Sequence, residues 1–300
     1  MNTIHIALCQ GHWTGDQATT IDLYRDLVQE AIQTGATLIC LPEFTLSPYF
    51  AGIRHNPEKS KWEETLHAGA TADFCRDLTT KHNITLVASI FEREDTADNQ
   101  NFWDTAVIYQ AGELKHYTRK VHIPSGDGYH ETDYFEGYHA YPVHDIGDVQ
   151  LATPTCYDQW FPELARIYAM NGAELIYYPT AIGSEPTAPN FDSKEAWQTI
   201  MRGHAVANGV FISACNRIGQ ENSVTFYGSS FICDPLGNIL AEASRDQDEV
   251  IHVELDATLR EQYLNLFPLL HQRKPQHYAR LLEQVDNNPP ERWQNEWEQA

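Results

Sequence analysis

The segment IHIALCQGHWTGDQATTIDLYRDLVQEAIQTGATLICL, residues 4–41, indicates the fold class of this 300-residue chain. Short apolar runs of strand length lie at its two ends, over residues 4–9 and 37–41. Between them, residues 16–34 place Leu, Val, Ala and Ile at helical spacing, and Gly35 follows as a stop signal. The segment therefore predicts a β–α–β unit.

The same alternation of strands and helices continues along the chain. Further helices are predicted over residues 70–82, 162–171 and 193–208. Further strands are predicted over residues 84–90, 105–110, 113–120, 148–153, 174–178, 210–215 and 250–255, with a hairpin formed by 226–234 and 238–243. Several strands are apolar on both faces, which is typical of strands buried between layers. Mixed α and β order with hairpins favours two packed sheets with helices outside.

No linker interrupts the middle of the chain, so we expect one domain over residues 1–280. The remaining residues, 281–300, are polar but include Trp293 and Trp297. Such a tail is either a frayed end or an arm docked on a second subunit, because aromatic anchors are enriched at interfaces. Both interpretations stay open.

The composition indicates a globular protein with a small partner. Hydrophobic residues make up 42% of the chain and charged residues 21%, which excludes overall disorder. No apolar run approaches the roughly 20 residues of a membrane span. The 20 Lys+Arg and 42 Asp+Glu residues give a net charge of −22, which disfavours nucleic acid and attracts a cationic small molecule.

The start MNTIHIALCQ has neither a basic region nor a cleavable apolar segment, and the six cysteines are scattered. We therefore expect a cytoplasmic protein with reduced thiols. Fourteen histidines form no HxH or HExxH motif, and no GxGxxG or GxxxxGK[ST] motif occurs. We expect no metal and no organic cofactor.

Cys156 is the candidate nucleophile. The segment DVQLATPTCYDQWFPE, residues 148–163, runs from a strand through the cysteine into a polar and aromatic turn and then a helix. A nucleophile on such a turn is exposed at the edge of a sheet, where backbone N–H groups can face an oxyanion and a helix N-terminus favours the thiolate. The cysteines in apolar strands are interpreted as buried structural residues: Cys9, Cys40, Cys215 and Cys233.

Two further strand ends supply a carboxylate and an ammonium group. The motif LPEF places Glu43 just after the strand at 37–41, and YTRKVHIP places Lys120 at the end of the strand at 113–120. Groups just past the carboxyl ends of strands converge on the ligand crevice of an α/β sheet. Since a free thiol is mostly protonated at neutral pH, it needs such a base or cation nearby.

The ordered set of motifs resembles the nitrilase, or carbon–nitrogen hydrolase, superfamily. The resemblance extends from Ile4 to about Tyr278 and is carried by LPEF (41–44), YTRKVHIP (117–124), CYDQWFPE (156–163), GAELIYYPTAIGSEP (172–186) and HQRKPQHY (271–278). Within the superfamily, CYDQWFPE, YYPTAIGSEP, SACNRIG (213–219) and TFYGSSFI (225–232) look most like N-carbamoylputrescine amidases. The resemblance implies an α/β (α+β) fold, a four-layer α-β-β-α sandwich, a homo-oligomer, and hydrolysis through a thioester.

The resemblance also implies roles for individual residues. Cys156 matches the nucleophile, Glu43 the general base and Lys120 the cation that stabilises the tetrahedral oxyanion. The backbone N–H of Tyr157 matches a second oxyanion donor. Glu131, in GYHETDYF, matches a glutamate that positions the substrate or the attacking water.

The predicted pocket favours a cationic substrate. Superfamily members that hydrolyse N-carbamoyl-D-amino acids carry arginines at the positions of Gln159 and Trp160, whereas this chain has no cation there and offers Glu185 on the AIGSEP loop. An ammonium group over aromatic faces gains cation–π attraction. Further substrate contacts are expected at Tyr49, Tyr129, Trp160 and Ala181.

The chain departs from the family pattern at Tyr157, in the run TPT before Cys156, after Phe135, and at WDT (103–105), where an Asn-Ser or Asn-Thr pair is common. We interpret these changes as pocket-rim differences. The expected activity is cleavage of the ureido group of N-carbamoylputrescine to putrescine, CO2 and NH3. The alternatives are a β-ureidopropionase-like or ω-amidase-like hydrolase, or a non-enzymatic small-amine binding protein on the same scaffold.

Overall fold

The computed structural model describes residues 3–283, so Trp293 and Trp297 lie outside the described residues. Five α-helices occur in the described part: α1 Gln17–Gln33, α2 Ala70–Lys81, α3 Pro162–Met170, α4 Lys194–Asn208 and α5 Ala257–Leu266. In this part of the chain, no helix combines the length and apolar character needed to cross a membrane. The helices α1 to α4 match the sequence predictions to within a residue or two at each end, whereas α5 was not predicted.

The described strands form two sheets. Their bounds are β1 Ile4–His12, β2 Leu38–Cys40, β3 Glu63–Glu64, β4 Thr85–Asp95, β5 Gln100–Gln110, β6 Glu113–Arg119, β7 His144–Asp145, β8 Gln150–Ala152, β9 Leu175–Pro179, β10 Phe211–Cys215, β11 Arg217–Glu221, β12 Val224–Tyr227, β13 Phe231–Cys233, β14 Ile239–Glu242 and β15 Glu249–Leu255. One sheet has the order β12-β11-β1-β2-β4-β5-β6, with β15 beside β1 and β3 beside β4. The other has the order β14-β13-β10-β9-β8-β7.

Three apolar layers hold these elements together. The inward faces of α1 and α2 pack on one face of the first sheet, through residues such as Val28 and Leu78. The opposite face of that sheet packs on the second sheet, where Leu38 and Tyr177 belong to one cluster. Helices α3 and α4 cover the outer face of the second sheet. This confirms the predicted α-β-β-α sandwich, in which burial on both faces explains the apolar strand sequences.

The prediction of one continuous strand over residues 226–234 is wrong, because this segment contributes to two different sheets. It is split into β12, which pairs with β11 in the first sheet, and β13, which pairs with β10 in the second. The chain crosses between the sheets at Gly228 and Ser229, which have φ of 53° and 58°. A Cβ atom at Gly228 would lie 2.7 Å from the carbonyl oxygen of Ser244, so only glycine fits there.

The loop that follows β2 carries Glu43, and Arg217 holds this loop through hydrogen bonds to its backbone. The Arg217 guanidinium donates hydrogen bonds to the backbone carbonyls of Glu43, Phe44 and Ser47 at 2.9–3.1 Å. It also forms a buried ion pair with Glu221 at 2.7 Å. Because Arg217 and Glu221 belong to β11, this contact fixes the Glu43 loop to the neighbouring part of the same sheet.

We expect Arg217→Met to destabilise the protein by about 3–5 kcal/mol, because removing one partner leaves Glu221 as a buried, uncompensated charge. Urea unfolding followed by circular dichroism measures this loss. The matched control is Arg245→Met, which breaks an ion pair with Asp192 in which both side chains are about half exposed. That change should cost no more than about 1 kcal/mol. Equal losses in the two variants would show that the Arg217 contacts do not stabilise the fold.

Candidate active site

Cys156 lies at a sharp turn between β8 and α3, as the sequence predicts. It is the first residue of a 3-10 helix, Cys156–Trp160, and has a φ of 41°. A non-glycine residue in this left-handed region stores strain, of order 1–3 kcal/mol, which is common at functional sites. The thiol is 6% exposed, and its Sγ atom lies 3.8 Å from the carbonyl oxygen of Ala181.

Asp158 connects the Cys156 turn to the segment that carries Lys120. Its buried carboxylate accepts hydrogen bonds from the backbone N–H groups of Thr155, Val121 and His122. The His122 Nδ1 atom lies 2.8 Å from the same carboxylate. The turn and the end of β6 are therefore fixed relative to each other through one side chain. Sequence reasoning missed Asp158, although its position two residues after the candidate nucleophile was a signal.

Lys120 lies at the centre of a fully buried charge cluster. Its Nζ atom is 2.8 Å from Glu43 Oε1, 2.5 Å from Glu131 Oε2 and 3.2 Å from Asp104 Oδ2. Burial disfavours the charged ammonium group, but the negative charges of Glu131, Glu43 and Asp104 outweigh burial and raise the pKa of Lys120. Lys120 is therefore a cation at neutral pH.

The cluster also acts on the thiol and on the candidate base. Burial raises the pKa of the Cys156 thiol, and Glu43 raises it further, although Lys120 opposes both effects. Burial likewise raises the pKa of Glu43; Lys120 opposes this, whereas Asp104 and Glu131 add to it. Burial therefore works against the thiolate, which the helix N-terminus was expected to favour. The raised pKa of the thiol means that Cys156 needs a base to release its proton, and the raised pKa of Glu43 makes this carboxylate a stronger base than an exposed glutamate.

Asp104 is the cluster member that sequence reasoning did not identify. The WDT departure was interpreted as a pocket-rim change, but Asp104 is fully buried beside Lys120. The backbone N–H of Lys120 donates to the backbone carbonyl of Asp104 at 2.9 Å, and the Ser89 hydroxyl donates to Asp104 Oδ1 at 3.3 Å. The observed pairing explains the contact: Thr105 pairs with Arg119, so one further step along the two strands places Asp104 opposite Lys120. This register depends on a bulge between Ile108 and Tyr109, which the predicted hairpin did not include.

Glu131 is held by Tyr49. The Tyr49 hydroxyl donates a hydrogen bond of 2.8 Å to Glu131 Oε1, and the Tyr49 side chain is fully buried. Tyr49 is not among the residues that line the cavity in front of Cys156. The structure thus places Tyr49 behind the cavity wall, where it orients Glu131, and not against the substrate chain as expected.

A cavity of about 590 Å³ opens in front of Cys156. Four of the expected substrate contacts line it: Tyr129, Trp160, Ala181 and Glu185. The Tyr129 hydroxyl accepts a hydrogen bond from the Gly183 N–H at 3.0 Å, which fixes the loop that carries Glu185. Asp127, which sequence reasoning missed, also lines the cavity, and none of the described lining residues is Lys, Arg or His.

The predicted catalytic residues lie together in the structure. Glu43 and Lys120 lie behind the cavity surface, and Cys156, Tyr157 and Glu131 line it. Oxygens of the carboxylates of Glu43, Asp104 and Glu131 lie within 4.8 Å of one another. Although three carboxylates are a plausible metal ligand set, the Lys120 ammonium lies among them and supplies the positive charge. The arrangement fits a nucleophile with an adjacent base and cation, the set that acyl transfer requires.

Comparison with known proteins agrees with this geometry. Residues 5–263 match the family model described as carbon–nitrogen hydrolase. The chain is 35% identical over 287 residues to a citrullinase of Francisella tularensis subsp. tularensis, an alignment that covers 94% of this chain and 99% of the relative. It is 33% identical over 301 residues to an N-carbamoylputrescine amidase of Solanum tuberosum, covering 95% and 97%.

A solved structure shows the same fold. The crystal structure of a carbon–nitrogen hydrolase from Helicobacter pylori G27 superposes with a TM-score of 0.86 at 30% identity, covering 95% of this chain and all of that one. Sequence, fold and the buried Glu–Lys–Cys cluster therefore agree: this chain belongs to the carbon–nitrogen hydrolase family of the nitrilase superfamily and is a cysteine-type hydrolase of carbon–nitrogen bonds.

Proposed function

We propose that the protein hydrolyses the ureido group of a cationic N-carbamoyl alkylamine, with N-carbamoylputrescine as the favoured substrate. The observation that carries the proposal is the cavity itself. Cys156 is one of its lining residues, Asp127 and Glu185 add two carboxylates, and no described lining residue is basic. A carboxylate-bearing substrate finds no cation there, whereas an ammonium group finds acidic and aromatic partners.

The first half-reaction forms a thioester. Glu43 accepts the proton of Cys156 as Sγ attacks the carbamoyl carbon, and the carbonyl oxygen becomes an oxyanion near Lys120 and the Tyr157 N–H. Charge stabilisation of this kind is usually the largest single catalytic contribution. The C–N bond then breaks, and the leaving nitrogen takes the proton from Glu43, so that Glu43 is again a carboxylate.

The second half-reaction returns the free enzyme. Water attacks the thioester carbonyl while Glu43 accepts a proton from the water, and Glu131 orients the reacting group. The C–S bond breaks, Cys156 regains its proton from Glu43, and the released carbamic acid decomposes to CO2 and an amine. Whichever nitrogen leaves first, one ureido compound and one water give the amine, ammonia and CO2.

The relatives supply a second candidate. The name of the Francisella protein refers to citrulline and that of the potato protein to N-carbamoylputrescine. Both compounds carry a terminal ureido group on an alkyl chain with an amine, but citrulline also carries a carboxylate. The absence of a basic side chain among the described lining residues favours the compound without the carboxylate.

We expect ammonia release from N-carbamoylputrescine to exceed that from citrulline, N-carbamoyl-β-alanine and glutaramate, and to be abolished by Cys156→Ala. The reason is that each competitor brings a carboxylate into an acidic cavity. Steady-state rates measured over the same range of concentrations for all four compounds give kcat/KM for each. Preference for citrulline would retain the cysteine chemistry and overturn the substrate assignment. Undiminished turnover by Cys156→Ala would overturn the mechanism.

We expect Glu185→Gln to raise KM for N-carbamoylputrescine about tenfold or more, because a hydrogen bond to a charged group is worth about 1.5–3 kcal/mol. The same variant should leave KM for N-butylurea within about twofold, since that compound has the same alkyl length but no ammonium group. Glu195→Gln serves as the control, because Glu195 is an exposed acid outside the cavity. Equal KM increases for the two substrates would mean that Glu185 does not bind the ammonium group.

A further inference from the structure

The charge of the buried cluster does not balance if every acid is ionised. Glu43, Asp104 and Glu131 would carry three negative charges against the one positive charge of Lys120, and all four side chains are almost completely buried. Desolvated charges without compensation are expensive, so buried carboxyl groups tend to bind protons instead. The excess negative charge would also oppose formation of the Cys156 thiolate and the tetrahedral oxyanion.

Two unsatisfied oxygens show where a proton belongs. Glu43 Oε2 and Asp104 Oδ2 are buried and, among the described residues, neither has a hydrogen-bond partner. Asp104 Oδ2 lies 3.2 Å from Lys120 Nζ but outside hydrogen-bonding geometry, since the ammonium donates to Glu43 and Glu131. The Glu43 and Asp104 carboxyl groups are within reach of each other. A single proton between them gives a donor to one oxygen and an acceptor to the other.

We propose that Asp104 is a positioning residue that shares one proton with the general base Glu43, so that only one carboxylate of this pair is ionised in the resting site. Glu131 differs from this pair because Lys120 and Tyr49 both donate to it; burial raises the pKa of Glu131, but these two hydrogen bonds oppose that effect, so we assign the second negative charge to Glu131. The cluster then contains two negative charges and one positive charge before the reaction begins.

The shared proton makes proton transfer from the nucleophile feasible. In the resting site the proton lies on Asp104 when Glu43 is about to act, so the Glu43 carboxylate is available to accept the proton of Cys156. After the transfer, Glu43 and Asp104 are both neutral acids. The thiolate and Glu131 are then the two anions that face Lys120. If Asp104 were ionised instead, the same state would contain three anions beside the one cation. When the leaving nitrogen takes the proton from Glu43, the resting pair is restored.

A spectroscopic measurement tests where the proton lies without any substrate. The C=O stretch of a protonated carboxylic acid is separate from the carboxylate bands and shifts in D2O. We expect infrared spectra at pH 7 to show such a band in the unmodified protein and to lose it in Asp104→Asn. Glu64→Gln is the control, because burial raises the pKa of Glu64 to about 7 and this acid contributes a second band. Two outcomes would overturn the proposal. One is that Asp104→Asn retains an acid band beyond the band that Glu64 contributes; the other is that Glu64→Gln alone removes all of the acid signal.

The pH dependence of turnover provides the kinetic test. Asparagine imitates the neutral acid permanently, so Asp104→Asn should keep the acid limb of kcat/KM in place and move the alkaline limb upward by about one pH unit or more, as expected for strongly interacting acids. The titratable groups that face the pair include Lys120, Glu131, Cys156 and Tyr49, and this variant replaces none of them. If Asp104 is instead ionised at rest, the acid limb moves downward, which would contradict the proposal.

A control variant separates this role from simple packing. Ser89→Ala removes the hydrogen bond to Asp104 Oδ1, and the one that the Ser89 hydroxyl accepts from the Phe44 N–H, without changing any charge. It should lower the melting temperature slightly and leave both limbs of the pH profile in place. Movement of the limbs in Ser89→Ala to the same extent as in Asp104→Asn would assign the effect to packing. The proposal depends on the cysteine chemistry but not on the substrate, so the infrared result stands even if N-carbamoylputrescine is not turned over.

Discussion

The Lys120 ammonium group is the interaction on which the rest of the site depends. It is fully buried, and it contacts three carboxylates that come from the loop after β2, from β5 and from the loop after β6. Without this positive charge, the carboxylates would repel one another in a region that water does not reach. The cation therefore holds the site together before it stabilises any reaction intermediate.

Two further buried charges place the reacting groups around Lys120. Asp158 accepts backbone N–H groups from both sides of the gap between β6 and the Cys156 turn. Arg217 binds the carbonyls of the Glu43 loop. Both side chains act on backbone atoms, so they fix the course of the chain and leave the side chains of Glu43 and Cys156 to do chemistry. In this way the reacting groups, which follow strands of two different sheets, keep fixed relative positions. A small displacement of these groups would lower the rate of the reaction.

The sequence predicted what local pattern determines. Periodicity located α1 to α4 and most strands, and the strand ends led to Glu43, Lys120 and Cys156, because the carboxyl ends of neighbouring strands meet at one edge. The missed features depend on contacts distant in sequence. The crossing at Gly228 needs knowledge of both sheets, and the role of Tyr49 depends on Glu131, 82 residues away. Asp104 was seen as a departure from the pattern, but only the register of β5 and β6 shows that it faces Lys120.

The distribution of acids explains why one site can tolerate so much negative charge. At the buried end, Glu43, Asp104 and Glu131 surround Lys120, so the ammonium group and the proposed shared proton together offset most of their negative charge inside the protein. On the cavity surface, Asp127 and Glu185 contribute carboxylates to a lining that includes no Lys, Arg or His among the described residues. For the proposed N-carbamoyl alkylamine, these surface acids would attract the ammonium group, and the Lys120 ammonium behind the cavity wall would oppose its deeper entry. On this proposal the neutral ureido end is the part of the substrate that reaches Cys156, so the surface acids and the buried cation together would orient the substrate as well as select it.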